Sequence, residues 1–443
     1  MMALAMLAGL TERRQRVQHF RTRACPTATE VVGEVTGLPG RHLDSWLMPE
    51  DVCRSLFLQG TLGAQLAVVE GTLQTPVEIR SCTQSDLPGD LRAIARSLDL
   101  PLVAVLSVAD SEETLRHLPR LPEGVEGVLI DGLKHPEALP RIRRLLRLTG
   151  NPPVLGALPE LPAIRRELSR SPRGSSLPPE TLRELGHHFL RMADLEALDE
   201  LSRSRPFPAR AGAFCACGMA ECSHCFRVAY AQDEAFGRYF PDTFEALEAL
   251  GAELVEFSPL RDESLPEDVD LVMIGCGFPD HFTERLAGNL SMMGALRQHV
   301  CEGQRIYTEG GGTAYLSQCM IVEGRRIPGV GIYPYEAELL DQPGPPVPVA
   351  RTLLHDSWLA SKGTVVRGYK SGRWRLHPSD DRFDCPSCSG SLNEHAELIY
   401  RHHAVGSLIH LHLGALPEVV SAFAGPHRPS LRRPSPRGLA DHR

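Results

Sequence analysis

Two runs of apolar strands that alternate with amphipathic helices constrain this chain more than any other feature. The first run contains five predicted strands, at residues 16–20, 66–70, 102–108, 127–130 and 154–156. The second run begins at Phe226 and reads "FRVAYAQD", "AELVEFSPL", "LVMIGCGFP", "RIYTEGG" and "LIHLHLG". Strands that alternate with helices pair in parallel and are covered on both faces. The sequence therefore predicts an α/β protein made of two doubly wound domains.

Composition excludes several classes of protein. A chain of 443 residues is long enough for two or three domains that each bury a core. Its net charge of −8 argues against a nucleic-acid binder, which needs clustered positive charge. No segment approaches the roughly 20 apolar residues that cross a bilayer. The opening "MMALAMLAGL" lacks a basic leader, so we expect a buried helix and a cytoplasmic protein without membrane contact.

Shifts in composition set the expected boundaries. We expect a first domain at residues 1–165, a helical and linker region at 166–212 and a cysteine-rich segment at 213–225. A second domain is expected at 226–424. The tail at 425–443 has no apolar periodicity and is predicted to be disordered.

The stretch "YTEGGGTAYL" at residues 307–316 predicts a strand, a sharp turn and a helix. Many enzymes mount a nucleophile on such a turn, because it exposes one side chain beside a helix N-terminus. Here the position that would carry a thiol or hydroxyl is Gly310. The stretch is either a site that has lost its nucleophile or a glycine-rich turn.

The order of these landmarks resembles the cobyrinic acid a,c-diamide synthase family over about residues 5–165 and 226–424. The first half carries "RVQHFR", "TGLPGRHLDSWLM", "AQLAVVEG", "LPLVAVLSV" and "NPPVLGALP". The second half carries "IYTEGGGTAYL", "PGVGIYPYEAEL" and "SLIHLHL". The resemblance implies a P-loop-NTPase-like synthetase domain, which uses Mg-ATP to activate corrin acetate groups. It also implies a class I glutamine amidotransferase domain with a flavodoxin-like fold, which supplies ammonia.

The resemblance also implies an ATP site that this chain matches poorly. No Gly-Lys pair, the end of a P-loop, occurs in the sequence. Either the loop has been lost, or it is encoded upstream of the present start. The family's acidic turn is replaced by "TRACPTA". Glu70 matches a later acidic position and would either hold Mg²⁺ or cap a turn. We therefore expect no ATP hydrolysis by this chain as it stands.

The glutaminase site of this chain also differs from that of the family. The family turn reads Glu-Cys-Gly-Gly, so Gly310 stands where the nucleophilic cysteine belongs, and glutamine hydrolysis is expected to be absent. His410 matches the partner histidine, and we interpret it as vestigial. Cys276 replaces a glycine of the oxyanion strand, but it lies outside the turn, so a relocated nucleophile is the less favoured interpretation. The corrin-contacting segment reads "RGYKSGRWR" at 367–375, without the family's histidines and glutamate.

Clustered cysteines are a feature that the resemblance does not include. They are Cys215, Cys217, Cys222 and Cys225, spaced C-x-C-x4-C-x2-C, and a distant pair, Cys385 and Cys388. Two C-x2-C pairs fit tetrahedral thiolate coordination of one metal, and the four local thiols fit it without the distant pair. Zinc is the first choice, and an iron–sulfur cluster is the alternative. Thiols in loops without a metal remain the third interpretation.

Two functions follow from these observations. The first is a non-catalytic paralogue, a pseudoenzyme of cobalamin or tetrapyrrole metabolism, which binds a tetrapyrrole, a corrinoid or a protein partner. The alternative is an active ATP-dependent ligase that amidates a tetrapyrrole with free or partner-supplied ammonia. A homodimer is compatible with either function.

Overall fold

The structure is a computed structural model that describes residues 1–25, 30–73, 88–107, 121–170, 177–205, 226–342, 344, 346–379 and 397–425. It divides the chain into two compact units. The first unit comprises residues 1–218 and 240–242, and the second comprises residues 219–239 and 243–443. Each unit contains parallel strands and helices, so the predicted two-part α/β fold is confirmed.

The first unit contains two parallel three-stranded sheets. Its strands are β1 (Val17–Arg21), β2 (Arg41–His42), β3 (Leu66–Glu70), β4 (Leu102–Ser107), β5 (Val125–Leu133) and β6 (Val154–Pro159). β1 lies between β2 and β3, and β5 lies between β4 and β6. All four strand pairs are parallel, as the alternation of strands and helices predicts.

The helices of the first unit include segments from both ends of its sequence. They are α1 (Met2–Glu12), α2 (Glu30–Thr36), α3 (Glu50–Gly60), α4 (Leu91–Ser97), α5 (Leu139–Leu148), α6 (Pro162–Arg170), α7 (Pro179–Met192) and α8 (Leu195–Arg203). The opening segment is the buried helix that the sequence predicts. Leu185 and Phe189 of α7 join a core cluster with Met2 and Ala5 of α1. The helical region after residue 165 therefore contributes to the core of this unit.

The second unit is built on a six-stranded sheet with smaller sheets around it. Its strands are β7 (Phe226–Ala231), β8 (Phe236–Arg238), β9 (Ala252–Phe257), β10 (Leu271–Ile274), β11 (Cys276–Gly277), β12 (Arg305–Glu309), β13 (Ser317–Val322), β14 (Arg325–Pro328), β15 (Tyr333–Leu339), β16 (Val347–Thr352), β17 (Val365–Lys370), β18 (Trp374–Pro378), β19 (Leu398–Arg401), β20 (Ala404–Ser407) and β21 (Ile409–His410). The large sheet has the order β19-β20-β12-β10-β7-β9. Its pairs are parallel except for the edge pair of β19 with β20.

Both faces of this sheet are buried. Along β10, Val272 and Ile274 join one core cluster, whereas Leu271 and Met273 join the other. Successive side chains of a strand point to opposite faces, so a strand buried on both faces needs an unbroken apolar run. The sequence "LVMIG" supplies that run.

Short helices complete the second unit. They are α9 (Pro241–Ala249), α10 (Thr283–Gly288), α11 (Leu290–Cys301), α12 (Gly311–Leu316) and α13 (Pro417–Phe423). Across the parts of the chain that the structure describes, no helix combines the length and the apolarity needed to cross a bilayer.

Two glycine-to-alanine substitutions should affect stability in opposite directions. A Cβ on Gly312, in α12, would lie 2.2 Å from the backbone oxygen of Ile274, so Gly312→Ala is expected to destabilise the fold by about 1–3 kcal/mol. A Cβ on Gly294, in α11, meets nothing within 4 Å, so Gly294→Ala is expected to stabilise by about 0.5–1 kcal/mol. Urea unfolding of the two variants measures both effects. Equal free energies of unfolding in the two variants would contradict this packing.

Candidate functional site

The turn between β12 and α12 has the conformation of a nucleophile elbow. Gly310, between the two elements, has φ 53° and ψ −111°. This region costs a residue with a side chain about 1–3 kcal/mol, and only glycine adopts it freely. The amide of Gly310 donates to the carbonyl oxygen of Ser407 at 2.8 Å, which ties the turn to the end of β20. The predicted strand, turn and helix are therefore confirmed.

A buried network of hydroxyl groups holds the elbow in place. Thr313, in the first turn of α12, lies 3.0 Å from the hydroxyl of Thr308 and donates to the carbonyl oxygen of Ser407 at 3.0 Å. The hydroxyl of Tyr333 also contacts Thr308, at 3.1 Å. All of these groups are buried, so each needs a hydrogen-bond partner to offset its loss of water. The network therefore fixes where the elbow lies relative to β20.

A cysteine from the neighbouring strand contacts the histidine next to this elbow. The Sγ atom of Cys276, in β11, lies 2.7 Å from Nδ1 of His410, in β21. Both residues are almost fully buried, at 3% and 1% exposure. A Cβ placed on Gly310 would lie 3.0 Å from Cε1 of His410 and 3.4 Å from Sγ of Cys276. The thiol of Cys276 thus lies beside the space that an elbow side chain would fill.

Glu309 adds a carboxylate to this pair. Its Oε2 atom lies 3.6 Å from Nδ1 of His410 and 3.7 Å from Sγ of Cys276. Its Oε1 atom accepts hydrogen bonds from the hydroxyl of Tyr307 at 2.5 Å and from the amide of Leu411 at 3.2 Å. Burial and the charge of Glu309 both raise the pKa of Tyr307, so Tyr307 remains a hydrogen-bond donor. The carboxylate is therefore fixed beside the imidazole.

Tyr239 positions the strand that carries the cysteine. Its hydroxyl accepts from the amide of Gly275 at 3.0 Å and donates to the carbonyl oxygen of Ala231 at 2.9 Å. Burial raises the pKa of Tyr239, and the electrostatic effect of the nearby Cys276 raises it further. Tyr239 therefore stays neutral and bridges β7 to the residue before Cys276.

These three groups support two kinds of chemistry. A cysteine beside a histidine can lose its proton to the imidazole and act as a nucleophile, and a carboxylate stabilises the resulting imidazolium. Cysteine, histidine and glutamate are also residue types that can bind a metal, and the ligand atoms of these three lie within 4.8 Å of one another. Two ligands on one zinc ion stand about 3.5 Å apart, given Zn–S and Zn–N bonds of about 2.3 and 2.0 Å. The separation of 2.7 Å between Sγ and Nδ1 fits a hydrogen bond better.

Glu70 is the other site residue that the structure describes. Its Oε2 atom contacts Nε2 of His19 at 3.1 Å and Nε of Arg21 at 3.4 Å. Burial alone would raise its pKa, but the hydrogen bond from His19 and the charge of Arg21 outweigh burial and lower the pKa to about 2. The carboxylate is thus ionised at neutral pH, and its side chain is 35% exposed. It fits as one oxygen ligand of Mg²⁺, although Arg21 pairs with one of its oxygens.

The remaining predicted site residues fall into two groups. The segment at 367–375 runs through β17 and β18, and Tyr369 pairs with His410 across β17 and β21. The clustered cysteines and the distant pair lie outside the residues that the structure describes: Cys215, Cys217, Cys222, Cys225, Cys385 and Cys388.

Comparison with known proteins identifies the family. Residues 227–416 match the CobB/CobQ-like glutamine amidotransferase domain. The chain is 28% identical to the cobyrinate a,c-diamide synthase of Syntrophotalea carbinolica, over 95% of this chain and 94% of that protein. It is 30% identical to the enzyme of the same name from Synechocystis sp., over 75% of this chain and 70% of that protein. This chain belongs to the cobyrinate a,c-diamide synthase family.

Membership of the cobyrinate a,c-diamide synthase family confirms the resemblance found in the sequence. The structure brings together His410 and position 310, which the resemblance paired as catalytic histidine and nucleophile position. Sequence reasoning missed the hydrogen bond between Cys276 and His410 and the position of the Glu309 carboxylate 3.6 Å from the imidazole. The sequence did contain a signal, because the cysteine expected at position 310 is missing and a cysteine occurs at position 276, where the family has a glycine.

The ion pair at Glu70 should make stability depend on pH. The pKa of Glu70 is lowered from 4.5 to about 2 on folding, so its contribution is fully present above about pH 4.5 and is lost as the pH falls towards 2. Glu70→Gln should therefore lower the Tm most at neutral pH, and the difference from wild type should shrink below pH 4.5. Calorimetry between pH 7 and pH 3 measures this. Glu137→Gln is the control, because Glu137 is 77% exposed and should contribute little. A Tm deficit that is the same at every pH would contradict the prediction.

Proposed function

We propose that this protein takes part in the amidation of tetrapyrrole carboxylates, the class of reaction for which its relatives are named. One observation carries the proposal: the second unit keeps a thiol in hydrogen-bond contact with the buried imidazole of His410, although Gly310 has replaced the elbow nucleophile. This contact supports a chemical role at the place where the family releases ammonia.

The cost of burying these groups supports a chemical role. Cys276, Glu309 and His410 are at most 8% exposed. Burying polar and ionisable groups is unfavourable unless they are paired, so a domain kept only for packing would gain stability from apolar side chains here. The three groups instead contact one another and receive further hydrogen bonds from Tyr307 and Leu411.

The synthetase-like unit would provide the activating step. When bound, ATP supplies the phosphoryl group that activates a substrate carboxylate, and Glu70 would be a ligand of its Mg²⁺. This proposal replaces the expectation of no ATP hydrolysis, and it requires that groups other than a Gly-Lys loop hold the phosphates. The ionised carboxylate of Glu70 at the end of β3 supports this assignment.

A second candidate is the non-catalytic paralogue, and the glycine at position 310 favours it. In that case the second unit would bind a corrinoid, another tetrapyrrole or a protein partner without transferring nitrogen. The loss of histidines and glutamate from the segment at 367–375 is in line with a changed ligand.

An amidation assay with ammonium as the nitrogen source separates the two candidates. Purified protein is incubated with cobyrinic acid, Mg-ATP and ammonium chloride, and the products are identified by mass spectrometry. We expect amide products, and we expect Glu70→Gln to reduce their rate, with Glu137→Gln as the matched control. Saturable corrinoid binding without any amide product would instead support the non-catalytic paralogue.

We also propose that the clustered cysteines bind one metal ion, with zinc favoured over an iron–sulfur cluster. Thiolates lose protons when they bind a metal, so metal content should fall below neutral pH. Elemental analysis should show one metal per chain, reduced in Cys222→Ser and Cys225→Ser but not in the control Cys301→Ser, whose thiol is exposed. Loss of metal in Cys385→Ser would show that the distant pair takes part. Wild-type protein purified anaerobically without zinc or iron would contradict the proposal.

A further inference from the structure

We infer that Cys276 is the nucleophile with which this protein releases ammonia from glutamine, taking the place of the thiol missing from the elbow. The inference rests on the proposed amidation function, for which it names the source of nitrogen. It replaces the expectation of an inactive glutaminase, under which a relocated nucleophile at Cys276 was the less favoured interpretation because that residue lies outside the turn.

Proximity is the first argument. The thiol of Cys276 lies 2.7 Å from Nδ1 of His410, a hydrogen-bonding distance between a nucleophile and its base. An elbow side chain would contact the same imidazole, because a Cβ on Gly310 would lie 3.0 Å from its Cε1 atom. A thiol would therefore lie beside the imidazole of His410 whether it came from position 276 in β11 or from position 310 in the turn after β12.

The arrangement of charge is the second argument. Proton transfer from Cys276 to His410 produces a thiolate and an imidazolium. The carboxylate of Glu309 lies 3.6 Å from the ring nitrogen that gains the proton, so it stabilises the imidazolium. Glu309 is itself held by Tyr307 and by the amide of Leu411. The thiol and the carboxylate both approach Nδ1 of the ring, so the carboxylate acts on the base through its charge.

The space at the elbow is the third argument. Because residue 310 has no side chain, no elbow side chain lies against the Sγ atom of Cys276. A Cβ at this position would lie 3.4 Å from Sγ, at van der Waals contact, and 3.0 Å from Cε1 of His410, so an elbow side chain would lie directly against both groups. The glycine that removes one nucleophile therefore leaves the elbow side of the other without a side chain.

The reaction balances without any further reagent. The thiolate of Cys276 attacks the side-chain carboxamide carbon of glutamine, and the carbon–nitrogen bond then breaks. The proton held by His410 passes to the leaving nitrogen, so ammonia departs and a glutamyl thioester remains. His410 next takes a proton from water, which attacks the thioester, and the carbon–sulfur bond breaks. Glutamate leaves with the added oxygen, and the thiol regains its proton.

The first experiment measures glutamate release from glutamine by the full chain. We expect Cys276→Ser to lose on the order of 100-fold or more of the wild-type rate, since the attacking atom is removed. Cys319→Ser is the matched control, because Cys319 is also buried in the second unit but lies outside the cluster. It should keep the wild-type rate. Glutamate release that persists in Cys276→Ser would overturn the inference.

The second experiment traps the nucleophile and does not depend on a variant that folds. Wild-type protein is treated with a diazoketone analogue of glutamine, and the labelled peptide is identified by mass spectrometry. We expect one label on Cys276, formed more slowly when glutamine is present. Exclusive labelling of the exposed Cys301, unaffected by glutamine, would overturn the inference.

The third experiment moves the thiol back to the elbow. In the double variant C276G/G310C the two residues are exchanged, so the elbow carries the only thiol of the pair and the thiol stays beside His410. We expect this variant to be labelled at position 310 and to release glutamate. A folded double variant that takes no label would contradict the claim that both positions serve the same base.

The nitrogen source distinguishes failure of this inference from failure of the proposed function. If wild-type protein amidates the corrinoid with ammonium but releases no glutamate from glutamine, Cys276 is not the nucleophile and the proposed function stands. If neither nitrogen source gives an amide, the proposed function falls, and the inference falls with it unless glutamate release that depends on Cys276 is still measured. Amidation with glutamine that disappears in Cys276→Ser, while amidation with ammonium persists, would support both.

Discussion

Direct contact between backbone segments is the constraint on which the second unit depends. A Cβ on Gly277 would lie 1.9 Å from the carbonyl oxygen of Ala235, and a Cβ on Gly312 would lie 2.2 Å from that of Ile274. Only glycine permits backbones to approach so closely. The end of β10, the short strand β11 and the first turn of α12 are therefore held at fixed distances. This close packing places Cys276 against His410, although the two residues are 134 positions apart.

The cluster of Cys276, Glu309 and His410 shows how a buried site can tolerate charge. The carboxylate of Glu309 receives hydrogen bonds on one oxygen from Tyr307 and Leu411, which leaves the other oxygen facing the imidazole and the thiol. In a medium of low polarisability such contacts are stronger than in water, and an unpaired charge is costly. The cluster is therefore stable as a unit, and removal of one member would leave the others without compensation.

The sequence predicts the local structure of this protein better than its long-range contacts. Alternating strands and helices, the elbow at Gly310 and the buried first helix all follow from nearby residues, and the structure confirms them. The partners of Glu70 could not be read in the same way, because His19 and Arg21 approach it only through the parallel register of β1 and β3. The contact of Cys276 with His410 likewise depends on the packing of strands that are far apart in the sequence, and no local sequence pattern predicts that packing.

The geometry around Gly310 also limits which cysteines this fold can hold at the same time. The Cβ atom of Cys276 lies 3.9 Å from the Cβ that a side chain at position 310 would have. Disulfide-bonded cysteines have Cβ atoms about 3.5–4.5 Å apart, so thiols at both positions would be placed to oxidise to a disulfide. A chain with both cysteines would thus risk losing its free thiol whenever conditions became oxidising. With glycine at one of the two positions, the elbow and β11 together carry one thiol, and a disulfide cannot form between positions 276 and 310.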